Sequence, residues 1–93
     1  MVCSDTQKLI FENAYVRAIE DRGPAGNVTA KHTHPRGLLI ALAAYDTESS
    51  AWPDRKVSRG HTAKGEVRWS EAVTHDVKNV GATATYAIRI DVR

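Results

Sequence analysis

Hydrophobic and polar residues alternate along several short segments of the chain. Between residues 84 and 92 every second residue is apolar or aromatic, and residues 15 to 21 alternate in a similar way. A period of two is typical of half-buried β-strands, because successive side chains point to opposite faces of a sheet. Turn-forming pairs and quartets, such as Gly23-Pro24-Ala25-Gly26 and Lys64-Gly65, separate segments of strand length. The pattern predicts an all-β barrel of antiparallel strands.

The segment from Leu38 to Ala44 does not alternate. It consists largely of residues with high helix propensity, so propensity alone favours a helix. The segment is short, follows the turn sequence Pro35-Arg36-Gly37 and lies between β segments, which favours a strand that is buried on both faces. We expect a fully buried strand here.

The length of the chain limits how it can be stabilised. Its 93 residues, 42% of them hydrophobic, suit one domain over residues 1–93 with one modest core. We expect the aromatic residues, including Trp69 and Tyr15, to supply much of that core. A small domain with many strands has sheet edges to cover, so we also expect a homodimer.

Charge and cysteine content restrict the partners and the compartment. The chain has thirteen Lys and Arg and eleven Asp and Glu, and its only adjacent basic pair is Arg55-Lys56. We therefore expect no nucleic-acid partner. The longest apolar run, Leu38 to Tyr45, is too short to cross a bilayer, and Met1 to Lys8 has no signal-peptide pattern. One cysteine, Cys3, forms no intrachain disulfide, which is compatible with the cytoplasm.

Three of the four histidines have the spacing of a shared site. On a strand from Val28 to His34, the residues Val28, Ala30, His32 and His34 would share the inward face, so that two imidazoles are about 7 Å apart along the strand. A His-x-His pair alone is a weak signal. His75 strengthens it, because a neighbouring antiparallel strand can bring a third imidazole to the pair, and three imidazoles leave coordination positions open for substrate or water.

The histidine motifs resemble those of the cupin superfamily. Gly26, five further residues and His32-Thr33-His34 are similar to the first cupin motif, and His75 with Asn79 is similar to the second. The surrounding residues from about 8 to 92 resemble small single-domain cupins often named for β-alanine degradation. The resemblance implies a double-stranded β-helix, or jelly-roll barrel, that binds one divalent transition metal. Fold alone does not determine the reaction.

Two departures from the cupin pattern affect the expected site. Leu38 and Leu39 occupy the positions where the first motif usually has a glutamate ligand, and Ser70 and Ala72 replace the Pro and Gly that usually precede the second histidine. The resemblance therefore implies a three-histidine site like that of thiol and diketone dioxygenase cupins. Ferrous iron is the expected native metal, and zinc, nickel, manganese or copper suit the same ligands. Binding should weaken below about pH 6.5, because protonated imidazole does not ligate.

Three functions fit this site. The leading hypothesis is a metal-dependent oxygenase acting on a small organic molecule, with His32, His34 and His75 as metal ligands. The second is a hydrolase or isomerase that uses the metal as a Lewis acid, and the third is a non-catalytic binder of a metal or small ligand. We expect His61 to be a surface residue outside the site. Arg17, Arg36 and Arg89 are candidate clamps for an acidic substrate, of which Arg36 is the nearest in sequence to His34.

Overall fold

A computed structural model of the protein describes residues 7–93, which form nine β-strands and no helix. The prediction of an all-β chain is confirmed. No helix within this range could cross a membrane. Cys3 lies outside the described residues. The strands are β1 Gln7–Glu12, β2 Val16–Gly23, β3 Val28–His34, β4 Gly37–Ala41, β5 Tyr45–Ala51, β6 Lys56–Thr62, β7 Val67–Ser70, β8 Val73–Asn79 and β9 Thr85–Val92.

The strands form two antiparallel sheets. The five-stranded sheet has the order β1-β2-β9-β4-β7, and the four-stranded sheet has the order β3-β8-β5-β6. The chain passes repeatedly from one sheet to the other, so that strands adjacent in sequence, such as β2 and β3 or β7 and β8, belong to different sheets. The inner faces of the two sheets enclose a cavity, to which both contribute side chains. Any side chain on an inner face can therefore contribute to one shared site.

The buried core is small and contains few aromatic residues. Ala41, Tyr45 and Ala87 form its buried cluster, and Leu39 packs against them. Tyr45 is buried, as expected for a core aromatic residue, but Trp69 is 50% exposed and Tyr15 is 76% exposed. The expectation that Trp69 and Tyr15 supply core volume was wrong, because Trp69 lies on an edge strand and Tyr15 lies in the turn before β2.

The apolar segment after Pro35 forms a strand, as predicted, but this strand ends at Ala41 and is not fully buried. Leu38 and Ile40 are half-buried, and only Gly37 and Ala41 are buried. Gly37 lies against β9 so closely that an added Cβ would be 2.1 Å from the Ile90 carbonyl oxygen. Glycine is therefore required at this position. The close contact fixes where the chain enters β4 after His34.

A β-bulge in β3 makes the first half of the strand face differently from the prediction. Thr29 is opposite Val77 and His32 is opposite His75, which leaves two residues of β3 opposite one of β8 and shifts the register between them. Val28 and Ala30 are exposed, whereas His32 and His34 are buried. The prediction that all four residues point inward was therefore wrong for Val28 and Ala30, because a bulge interrupts the two-residue period.

Candidate metal centre

His32, His34 and His75 meet on the inner face of the four-stranded sheet. His32 and His75 are direct cross-strand partners on β3 and β8, and His34 follows two residues later on β3. Their ring centroids are 4.4 Å apart for His32 and His34, 4.6 Å for His32 and His75, and 5.4 Å for His34 and His75. One nitrogen of each ring lies within 4.8 Å of the others. We refer to these three residues as the histidine cluster.

Hydrogen bonds orient two of the three rings. His32 Nδ1 donates to the Ala30 carbonyl oxygen at 2.7 Å, and this carbonyl belongs to the bulge in β3. His75 Nδ1 lies 3.2 Å from Ser49 Oγ on β5. When Nδ1 carries the proton, the Nε2 lone pair of the same neutral ring is available to a metal. Partners of this kind on the far side of an imidazole commonly fix ligand orientation.

The cluster contains buried nitrogens without a protein partner. Among the described residues, His34 Nδ1 and His75 Nε2 are buried and form no hydrogen bond. Buried polar atoms are rarely left unpaired unless a ligand, ion or water satisfies them. The three ring nitrogens are separated by at most 4.8 Å, so when evenly spaced they lie no more than about 2.8 Å from a common centre. Small movements of the rings would bring this distance to the ~2.1 Å typical of metal–nitrogen bonds. These residues fit a divalent transition metal.

Burial and neighbouring charges keep His34 and His75 in the neutral form that ligates a metal. The pKa of His34 is lowered to about 3, mainly by burial and then by the charges of Arg89, His32 and His75. The pKa of His75 is lowered to about 4, again mainly by burial and then by His32 and Arg89. Both rings are therefore neutral at physiological pH, and only neutral imidazole binds a metal.

No carboxylate joins the cluster among residues 7–93. Leu39 lines the cavity and packs against the core, and Leu38 lies on the opposite side of β4, so the positions that replace the usual glutamate supply no oxygen ligand. Asp21 is a carboxyl group that lines the same cavity, and burial raises its pKa. It is not part of the cluster. The protein donors are therefore three imidazole nitrogens.

The cluster opens into a cavity of about 690 Å³ between the two sheets. This volume is in the range of sites for small organic molecules. The two residues between β7 and β8, Glu71 and Ala72, also line the cavity, so the connection that lacks the usual Pro and Gly lies at the site. The cavity combines apolar walls, hydroxyl groups and charged side chains near three imidazoles.

The other candidate residues lie in different places. His61 is exposed on β6, and its Nδ1 is 2.7 Å from Asp46 Oδ1, away from the cluster. Arg36 is exposed and does not line the cavity, although it is the candidate clamp closest in sequence to His34. Arg89 does line the cavity. In the sequence, Arg89 stands out as a cation between two isoleucines, Ile88 and Ile90, in the last strand.

Comparisons with known proteins agree with the fold. No model of a protein family matches the chain, and no curated protein matches its sequence. Solved structures do match: a cupin domain from Bordetella pertussis Tohama I has a TM-score of 0.84 and 20% identity, covering 94% of this chain and 91% of the other. A cupin family protein with a double-stranded β-helix fold from Methanocaldococcus jannaschii has a TM-score of 0.73 and 12% identity, covering 92% and 77%.

A third match is a cupin 2 conserved barrel domain protein from Salinispora arenicola, with a TM-score of 0.64 and 16% identity, covering 90% of this chain and 71% of the other. The chain therefore has the cupin fold, a double-stranded β-helix, as its two histidine motifs predicted. Identities this low show the fold alone. The relation to cupins named for β-alanine degradation finds no support in these matches and stays a prediction.

Proposed function

We propose that the protein is a metal-dependent enzyme that acts on a small organic molecule, and that it is an oxygenase with ferrous iron as its native metal. The observation that carries this proposal is the meeting of three imidazoles, without a carboxylate among the described residues, at the wall of a cavity of about 690 Å³. Three protein donors leave coordination positions open on a metal, as catalytic centres require.

A ferrous ion bound here would supply electrons for reaction with dioxygen and open positions for substrate. The residues of the chain have separate tasks. His32, His34 and His75 would hold the ion, while the Ala30 carbonyl and Ser49 hydroxyl orient two of the rings. Leu39 and Ala87 provide apolar walls that exclude water from the reacting groups. Asp21, with its raised pKa, is a proton donor or acceptor within the same cavity.

Oxygen uptake distinguishes this proposal from its alternatives. Protein purified without oxygen, loaded with ferrous iron and mixed with thiols, diketones or small acids should consume oxygen in proportion to one of these substrates. His75→Ala should abolish the uptake, because it removes a metal ligand, whereas His61→Ala should retain it. An oxygen electrode measures the rate, and product analysis by mass spectrometry identifies incorporation of labelled oxygen.

Substrate conversion without oxygen uptake would contradict the oxygenase proposal and favour a hydrolase or isomerase that uses the metal as a Lewis acid. Metal binding without any conversion across the screen would favour a non-catalytic binder. A cytoplasmic location belongs to the same proposal, because ferrous iron and a lone cysteine both suit a reducing compartment.

A further inference from the structure

Arg89 is a buried cation inside the cavity. It lies on the inner side of β9, is 9% exposed and lines the cavity together with the histidine cluster. Arg89 forms an ion pair with Asp91, which is also buried, and a buried ion pair is often no more stabilising than a pair of apolar side chains of similar volume. The position therefore calls for a functional explanation.

The hydrogen bonds that Arg89 forms within the protein use only part of its donor capacity. Nε donates to Asp91 Oδ1 at 2.7 Å, and Nη2 donates to the Pro35 carbonyl oxygen at 2.7 Å. A guanidinium has five N–H groups, so Nη1 and one N–H of Nη2 have no partner among the described residues. The contacts hold the group in one orientation, which reduces the entropy lost when it binds a ligand.

The other arginines of the cavity are placed differently. Arg59 pairs with Glu48 at 2.7 Å and its side chain is 74% exposed. Arg68 pairs with Glu66, and its side chain is 49% exposed. Both lie where solvent weakens electrostatic interactions. Arg89 is therefore the buried arginine available inside the cavity.

We propose that Arg89 binds the carboxylate of a small organic acid and thereby presents the rest of that molecule to the histidine cluster. A planar guanidinium with adjacent N–H groups suits a carboxylate through two parallel hydrogen bonds. This proposal names small organic acids as the substrate class of the proposed enzyme. It rests on the proposed function only in treating the acid as a substrate. The binding of the acid itself requires no metal.

The test measures binding of propionate to the metal-free protein by NMR titration, with propionamide as the uncharged analogue. Propionate should bind at least tenfold more tightly than propionamide. Arg89→Met should lower propionate affinity at least tenfold, and Arg89→Lys should retain part of it. The matched control Arg59→Met should change the affinity less than twofold. Equal propionate affinity in Arg89→Met and the unaltered protein would overturn the proposal.

Two further measurements separate binding from structural support. Arg89→Met leaves Asp91 buried without its cation, so Arg89→Met combined with Asp91→Asn provides a neutral pair, with Asp91→Asn alone as its reference. Metal content by plasma mass spectrometry should be the same in the double variant and in this reference. Loss of both metal and propionate would show that Arg89 supports the turn after His34 through Pro35, and would overturn the proposal. If the unaltered protein and its variants bind propionate but no metal, the proposed enzymatic function is contradicted, while the proposal for Arg89 stands.

A second inference concerns the outer face of the five-stranded sheet, the side away from the cavity. One row of cross-strand partners spans all five strands and is entirely apolar: Phe11, Ala18, Ile90, Leu38 and Trp69. The residues next to this row on β9, β4 and β7 are also apolar: Ile88, Ile40 and Val67. Phe11 is 54%, Trp69 50% and Val67 60% exposed. The apolar side of the alternating last strand therefore faces away from the cavity.

The size of this outer face is close to the minimum that a dimer needs. Five strands spaced about 4.8 Å apart make it about 24 Å wide, and seven residues along β2 make it about 20 Å long. Two copies packed through it would bury a footprint of roughly 1,000 Å², before the corrugation of the side chains adds to it, which is about the minimum expected of a specific interface. Glu20 and Arg22 lie at one corner, where a polar rim is expected.

We propose that a second copy of this chain covers the outer face, sheet against sheet. Light scattering after gel filtration should give about twice the chain mass of 10.2 kDa. Trp69→Glu should yield the monomer mass, because it places a charge in the interface. The matched control Val57→Glu, an exposed apolar residue on the other sheet, should stay dimeric. A monomeric unaltered protein across a wide concentration range, or dissociation by Val57→Glu and not by Trp69→Glu, would overturn the proposal.

Discussion

Replacing His32, His34 or His75 with alanine is expected to remove most of the bound metal. Each substitution removes one of three nitrogens that lie within 4.8 Å of one another, and no carboxylate of the described residues is in the cluster to compensate. Affinity should fall by more than the 10- to 100-fold that is typical when only a hydrogen-bond partner of a ligand is lost. Plasma mass spectrometry after dialysis measures the metal content per chain.

The matched control for these variants is His61→Ala. His61 is exposed and pairs with Asp46 on the outer side of the four-stranded sheet, so its loss should leave metal occupancy unchanged. Circular dichroism should show that all four variants retain strand structure. Full metal content in His75→Ala would contradict the three-histidine site, and loss of metal in His61→Ala would place the site elsewhere.

Metal-free protein should lose stability as the pH falls from about 6.5 toward 4. The pKa values of His34 and His75 are about 3 and about 4 in the folded protein, below the ordinary value of 6.5 that applies after unfolding. Between these values the unfolded chain binds protons that the folded chain does not, so acid favours unfolding. Each group contributes up to about 1.4 kcal/mol per pH unit, and we expect a combined loss of roughly 3 kcal/mol between pH 6.5 and pH 5.

Urea unfolding with a chelator at pH 7, 6 and 5 measures this loss. The double variant His34→Gln/His75→Gln has no titrating group at these positions, so its stability should depend much less on pH. An equal pH dependence in the double variant and the unaltered protein would show that these imidazoles are not buried as neutral groups. The same lowered pKa values keep His34 and His75 available to a metal below pH 6.5, where ordinary histidines would already be protonated.

The all-β class could be predicted because the two-residue period is a local signal. The alternation of residues 84–92 corresponds to β9. The turns predicted around Gly26 and Gly65 contain these two glycines with positive φ. The three histidines could be grouped because each cupin motif is a local pattern, and the resemblance brings the two motifs together in one site. The cupin fold followed from those motifs, since the period alone does not distinguish one barrel from another.

Other features depend on contacts that no local pattern contains. The bulge at Ala30 reverses the exposure of Val28 and cannot be read from alternation, although it supplies the carbonyl that orients His32. The alternation in β9 shows two faces but not which of them points inward, and here the face with Arg89 lines the cavity. Leu38 resembled a fully buried residue for the same reason: its strand is apolar on both faces, but only one of them meets the core.

The histidine cluster is tested most directly by a crystal structure of the protein soaked with zinc or ferrous iron, with data collected at the absorption edge of that metal. One anomalous peak is expected at about 2.1 Å from a ring nitrogen of each of His32, His34 and His75. A peak between His61 and Asp46, or no ordered metal at all, would contradict this expectation.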